Sequence, residues 1–253
     1  MDRPLVIAHR GFSEFAPENT LPAFALALIA GADLVELDYH HSLDGEPVVI
    51  HDRDLDRTTD AAKRWGGKQI RIGTKTASEI QSLDAGAWFD ARYAGSRVPL
   101  LKEALTLIQK GAVPLIERKT GSAHTCIRLL RNLGLINRVV VQSFDWAYLQ
   151  EFHEQEPEQV LAALGPPVTL PDGRRVPRVF QRLNARWLSA LQRTGAKVAV
   201  WNKQVSIAAI ELAHEQGVKV WVYTINQPET AQRLLELGVD GLITNNPALI
   251  WKT

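Results

Sequence analysis

The chain has 253 residues, 45% hydrophobic and 23% charged, enough apolar material for a single barrel-sized domain over residues 1–253 with a substantial core. A formal net charge of +1 offers no blanket attraction to nucleic acid or to an anionic membrane, so any basic binding site must be local. One cysteine, Cys126, excludes an internal disulfide, no run reaches the roughly 20 apolar residues that cross a bilayer, and Met1 to Pro4 do not open a signal peptide; a cytoplasmic protein without stable membrane insertion is expected.

In chain order, the first apolar run is Leu5 to Ala8, ending in His9-Arg10-Gly11. Asn19-Thr20 then offers an N-cap, Pro22 suits a first helical turn and Gly31 marks a helix end. The second run opens at Leu34-Val35 and ends in Glu36-Leu37-Asp38; the third, Pro47 to Ile50, ends in His51-Asp52. Asp44-Gly45 between them is a strong hairpin signal. A two-residue turn there makes cross-strand partners sum to about 89, placing His51 opposite Asp38. Side chains alternate along a strand, so Glu36, Asp38 and His51 then share a face, and a slip of one residue would reverse His51.

Residues 53–98 read as a long polar insertion with a short helix opening at Ser78-Glu79. Long irregular segments of this kind are usually lids or binding loops, and this one is expected to cap the site. Further apolar runs follow at Val113 to Ile116, Val139 to Val141, Val160 to Leu164, Val198 to Val200, Val218 to Val222 and Leu242-Ile243. Helical spacing lies between most of them: Leu100 to Ile108, Ala123 to Leu133, Phe144 to Phe152, Leu183 to Leu191, Ile207 to Ala213 and Glu229 to Leu237. Alternating strand and helix signals predict a parallel sheet clothed in helices. With the third run taken as a hairpin extension of the second, eight strands remain, and the fold class is an α/β (β/α)8 TIM barrel with an insertion after the hairpin. An open doubly wound sheet is the alternative.

In such folds chemistry gathers where strands end. The helix beginning at Thr20 turns its free amides toward that side, where an anion is welcome, and Arg10 adds a planar fork suited to phosphate. Leu115-Ile116-Glu117 repeats the pattern of a carboxylate at a strand end, with Lys119 two residues on. Glu36, Asp38 and Glu117 at one mouth would repel one another without a cation between them. All-oxygen ligands favour one divalent ion, Mg2+ or Ca2+, whereas His9 and His51 as ligands would suit zinc. Two imidazoles beside a polarised phosphoryl group can instead serve as general acid and base, which predicts a bell-shaped pH profile.

The chain resembles the glycerophosphodiester phosphodiesterase family over nearly its whole length. The resemblance is carried by His9-Arg10-Gly11, Pro17-Glu18-Asn19-Thr20, Glu36-Leu37-Asp38, the stretch Asp44 to Asp52, Leu55-Asp56-Arg57-Thr58-Thr59, Leu83 to Phe89, Val98-Pro99-Leu100-Leu101, Gln142-Ser143-Phe144, Trp221 to Thr224 and Gly238 to Thr244. It implies a (β/α)8 barrel with Glu36, Asp38 and Glu117 as metal ligands, His9 and His51 as acid and base, and Arg10 and Lys119 on the phosphate. The implied reaction is hydrolysis of a small-molecule glycerophosphodiester to sn-glycerol 3-phosphate and an alcohol, in related enzymes begun by attack of the neighbouring glycerol hydroxyl. Asn245-Asn246 departs from the family, which often has an acidic residue after the Thr.

Trp88, Phe89 and Trp221 are candidate substrate contacts, although packing is the commoner fate of aromatics. Asp52 can orient His51 or cap a turn. His40, His41, His124, His153 and His214 read as structural. Arg174, Arg175, Arg178, Arg182 and Arg186 suggest a headgroup funnel or a solvated face. Two other functions compete. A lysophospholipase D or sphingomyelinase-D-like enzyme would need an acyl groove, for which Trp65, Ile70, Ile72 and Pro166-Pro167-Val168 are the candidates. A non-catalytic phosphoester-binding module would be expected to lack one of the five site residues, and none is missing.

Overall fold

The computed structural model describes residues 3–177 and 181–250, so Arg178 lies outside the described residues. The elements are β1 (Leu5–Ala8), α1 (Leu21–Ile29), β2 (Leu34–His41), β3 (Pro47–Val49), α2 (Ala61–Trp65), α3 (Ala77–Gln81), α4 (Leu101–Ile108), β4 (Val113–Arg118), α5 (Ala123–Asn132), β5 (Val140–Ser143), α6 (Trp146–Gln155), β6 (Leu161–Leu164), α7 (Ala185–Gln192), β7 (Val198–Trp201), α8 (Ile207–Glu215), β8 (Lys219–Val222), α9 (Pro228–Glu236), β9 (Gly241–Thr244) and α10 (Pro247–Ile250). The hydrogen-bonded strand order is β1-β9-β8-β7-β6-β5-β4-β2-β3, and β1 also pairs with β2. That is the strand order of a (β/α)8 barrel, with β3 the antiparallel appendage to β2. Among the described residues no helix is long and apolar enough to cross a membrane.

Two compact units make up the chain: residues 8–121 with 245–248, and the remaining described residues, 3–7, 122–177, 181–244 and 249–250. In the second unit β5 to β9 form parallel ladders, and Trp146, Trp187 and Trp201 pack with ring centroids 6.0 to 6.5 Å apart. His153 stands against Gly195, where an added Cβ would meet the ring at 2.3 Å, and so is structural as expected. Arg174 is exposed and pairs with Asp172, as a solvated face would. Asp240 accepts from the Val220 amide at 2.8 Å, from Lys219 at 2.9 Å and from His214 at 2.7 Å.

Although burial opposes it, the Val220 amide, Lys219 and His214 hold the Asp240 carboxyl below the ordinary carboxylate range. A carboxyl lowered on folding stabilises the protein above its unfolded pKa, and that contribution is lost as pH falls through the folded one. Asp240→Ala is expected to cost about 1–3 kcal/mol, chiefly by leaving the Val220 amide without its acceptor, with the deficit shrinking in acid. Denaturant unfolding at neutral pH and at pH about 3 checks both parts.

The unit holding residues 8–121 is built from α1, β2, β3, α2, α3, α4 and β4. Thr20 caps α1 as the sequence predicts, its hydroxyl accepting from the Ala23 amide at 3.5 Å. The hairpin departs from expectation by one residue. Its ladder pairs Tyr39 with Val49, His40 with Val48 and His41 with Pro47, so the turn holds three residues, Leu43 to Gly45. The Gly45 amide donates to the Ser42 carbonyl at 3.0 Å, and Gly45 takes φ +80°, a type I turn completed by a left-handed residue. Ser42 selects this longer loop. Its hydroxyl donates to Asp44 Oδ1 at 2.6 Å and accepts from the Glu46 amide at 3.0 Å, side-chain bonds that a tight two-residue turn would forgo.

The insertion is less irregular than its composition suggests. Leu55, Ala61, Ile72, Ala77, Ile80, Leu83, Ala85 and Val98 join Val48 and Ile50 in a buried cluster, with Trp65, Ile70 and Leu100 packed against it. Helix α3 opens at Ala77, one residue before the predicted start, because Thr76 and Glu79 form a capping box. Ile72 is therefore core, and Trp65 and Ile70, half-buried, pack against it.

Candidate functional site

Every residue that the sequence assigned to the metal, and both histidines, fall in one unit: Glu36 and Asp38 within β2, which runs on three residues past the expected end, Glu117 near the end of β4, His9 just after β1 and His51 just beyond β3. On β2, Glu36 and Asp38 share a face by alternation, and the parallel register sets Glu117 of β4 directly beside Asp38. Ligand oxygens of the three carboxylates lie within 4.8 Å of one another, and all three residues are buried. No other such group of His, Cys, Asp and Glu occurs among the described residues, and neither histidine joins this one. Zinc ligation by His9 and His51 accordingly finds no support.

Burial, with Asp38 and Glu117 beside it, pushes Glu36 well above the usual carboxylate range. Burial likewise raises Glu117 to about 7, against the pull of Lys119. Asp38 behaves oppositely. Burial would raise it too, but the Lys119 ammonium, 3.0 Å from Oδ1, and the Arg10 guanidinium, whose Nε is 3.4 Å from Oδ2, hold it low. Lys119 also pairs with Glu117. Asp38 Oδ1 is buried and makes no hydrogen bond of good geometry, facing instead the Lys119 ammonium that a divalent cation would replace or supplement. An all-carboxylate cluster carrying such an atom fits a hard divalent ion.

Asp38 is itself held in place by Asn19, which donates from Nδ2 to Oδ2 at 2.8 Å and accepts the Asp38 amide on Oδ1 at 3.1 Å. Asn19 does this from a left-handed backbone, φ +59°, a conformation that asparagine tolerates better than most residues. Arg10 is also left-handed, φ +56°, and its amide donates to Glu36 Oε2 at 2.9 Å. Gly11 follows at φ +81°, where a Cβ would lie 2.6 Å from the Ala23 carbonyl carbon. The strand-end turn can therefore press onto the start of α1 only through glycine.

His9 donates from Nδ1 to Asn245 Oδ1 at 2.7 Å, and burial together with Arg10 pushes its imidazole down to about 4. Asn245 belongs to the segment that departs from the family pattern. His51 donates from Nδ1 to Asp52 Oδ1 at 2.7 Å, the contact an orienting carboxylate would make. The observed register, continued past Val49, would turn His51 away from this face, yet it lies within the field of Asp38. The ladder ends at Val49, and a last bond from the Ile50 amide to the Asp38 carbonyl precedes a bend at His51, so strict alternation no longer governs it.

His40 does more than the sequence suggested. A carbonyl can only accept, so His40 Nε2 donates to the His51 carbonyl at 3.1 Å, and Nδ1 accepts from the Thr120 hydroxyl at 3.3 Å. The Thr120 oxygen in turn accepts the His41 amide at 3.2 Å. Burial pushes His40 down to about 4, leaving a neutral ring suited to this one donor, one acceptor arrangement. His41 packs its ring over Gly121.

The aromatic candidates have contacts of their own. Trp88 is 41% exposed, donates to the Ala85 carbonyl at 2.9 Å and meets Phe89 edge to face at 5.7 Å; Phe89 meets Tyr93 at 5.9 Å. Trp221, on β8 in the other unit, is buried, and a Cβ on Gly241 would meet its ring at 2.8 Å.

The family model described as "Glycerophosphoryl diester phosphodiesterase family" matches residues 9–249. The glycerophosphodiester phosphodiesterase of Caldanaerobacter subterraneus subsp. tengcongensis is 32% identical, covering 97% of this chain and 95% of its own. The solved glycerophosphodiester phosphodiesterase of Agrobacterium tumefaciens superposes with a TM-score of 0.79 at 29% identity, covering all of both chains. An Oleispira antarctica phosphodiesterase, solved with the product sn-glycerol-3-phosphate, gives 0.84 at 27% identity over 99% of this chain and 96% of that one. The chain belongs to the glycerophosphoryl diester phosphodiesterase family.

Proposed function

We propose that His9 and His51 carry the proton transfers by which this enzyme hydrolyses glycerophosphodiesters to sn-glycerol 3-phosphate and an alcohol. The observation that carries the reading is the pair of imidazoles. Each spends Nδ1–H on an oxygen acceptor, so a neutral ring presents Nε2 as a free base in the same unit as the carboxylate cluster. His9, pushed down by burial and Arg10, suits the base that takes the proton of the attacking glycerol hydroxyl. Burial, with Lys119 and Arg10 adding to it and Asp38 and Asp52 opposing, also holds the His51 imidazole below its usual range; with Nδ1 fixed on Asp52, its Nε2 is the atom that would carry a proton to the departing alcohol oxygen. Glu36, Asp38 and Glu117 would hold one Mg2+ or Ca2+ ion, which when bound supplies positive charge for the phosphoryl oxygens.

Arg10 and Lys119 would bind the phosphate, exchanging part of their pairing with carboxylates for the substrate. The insertion over residues 53–98 would cap the mouth, with Trp88 and Phe89 beside the glycerol and Trp221 lining the pocket. Glycerophosphocholine is expected to turn over with stoichiometric release of sn-glycerol 3-phosphate, while lysophosphatidylcholine below its micelle concentration is a poor substrate. A coupled glycerol 3-phosphate assay on both compounds tests this. Preference for the lysolipid would favour a lysophospholipase D, and absence of any turnover a binding module.

A further inference from the structure

Arg57 stands in the insertion, five residues beyond Asp52, and its guanidinium engages two carboxylates at once. Nε donates to Asp52 Oδ2 at 2.6 Å and Nη2 lies 3.2 Å from Asp52 Oδ1. Nη1 and Nη2 donate to Glu18 Oε2 and Oε1 at 2.9 and 2.8 Å. Each carboxylate has a second partner. Glu18 Oε1 accepts from Arg10 Nη1 at 2.8 Å, and Asp52 Oδ1 accepts from His51 Nδ1 at 2.7 Å. A continuous run of charge-assisted bonds thus links Arg10, Glu18, Arg57, Asp52 and His51, and Glu18 and His51 line one recess with Asn19 and Thr58.

We propose that Arg57 is a positioning residue that sets phosphate-binding Arg10 and proton-transferring His51 in one common geometry, through Glu18 and Asp52. The inference rests on the roles given to Arg10 and His51 above. Arg57 is 44% exposed, and ion pairs at that exposure add little to stability, so the stability of the fold does not account for the arrangement. What four donor contacts from one rigid fork do supply is orientation, which a lysine's single ammonium cannot reproduce. Asp52 is 26% exposed and without Arg57 would be free to turn away, releasing the His51 ring and its tautomer. Glu18 without Arg57 would keep its bond from Arg10 but lose the two that fix its carboxylate.

The test measures kcat, KM and Tm for Arg57→Gln and Arg57→Lys with glycerophosphocholine at saturating metal. Arg57→Gln is expected to lose on the order of 10- to 100-fold in kcat/KM, through both a lower kcat and a higher KM, with Tm moving by only a few degrees. Arg57→Lys should restore only part of the loss. Glu18→Gln and Asp52→Asn, whose side chains do not pair with each other, should be coupled in the wild-type background and additive in Arg57→Gln. Wild-type kcat and KM in Arg57→Gln, equal coupling in both backgrounds, or unfolding of that variant would each overturn the proposal. His51→Ala in the same series separates the levels: an inactive His51→Ala beside an unaffected Arg57→Gln sinks the bridge alone, whereas an active His51→Ala sinks the underlying assignment with it.

Discussion

Alanine at His9 or His51 is expected to lower kcat by about 100- to 10,000-fold, the range that a positioned acid or base contributes. The fold should survive. His51 is 31% exposed at its side chain and lies beyond the last residue of β3, and His9 follows the end of β1 rather than packing in its ladder. The two losses should differ in their pH dependence. With the His9 imidazole pushed down to about 4, its basic form persists as pH falls through the ordinary histidine range and is lost only near 4. At saturating metal the acid limb of kcat/KM should therefore lie below pH 6.5, and His9→Ala should abolish it. Near wild-type rates in either variant, or an acid limb at 6.5 that ignores metal concentration, would remove the assignment.

Chelation is expected to cost about 1,000-fold in rate, the factor that several kcal/mol of transition-state charge stabilisation represents. Activity should return with magnesium or calcium more fully than with zinc, because the donors are three carboxylates. Binding should also release protons. Burial places Glu117 at about 7 and Glu36 well above the usual carboxylate range, so near neutral pH a cation must displace protons from the cluster. Metal affinity is expected to rise with pH through about 7, and calorimetry in buffers of different ionisation enthalpy reads the proton count directly. Glu36→Gln should weaken binding at every pH. Affinity independent of pH from 5 to 8 would contradict this account.

Most of the strand ends were legible because parallel strands are short apolar runs and period-two alternation groups Glu36 with Asp38. The same alternation also puts His40 on that face, a signal that was there to use. It was outweighed by the general tendency of a lone histidine to be structural, and its partners, the His51 carbonyl and Thr120, are invisible in a list of side chains. The hairpin register failed by one residue because turn length was decided by the bonds of one serine hydroxyl rather than by Asp44-Gly45. Arg57 stands in the motif Leu55 to Thr59, but its bridging could not be read, since one of its carboxylates lies 39 residues away. The insertion read as polar because its apolar residues are spread singly among charged ones, and only three-dimensional proximity assembles them.

Lys119 has a bearing on how the protein is made. Its ammonium sits between Asp38 and Glu117, so the polypeptide carries an internal counterion for the very groups that would otherwise resist being packed together. Folding is therefore expected to proceed without the ion, in contrast to small zinc modules that collapse only around theirs. Cells starved of divalent salts would accumulate a properly assembled but dormant enzyme, ready to be switched on the moment the nutrient returns.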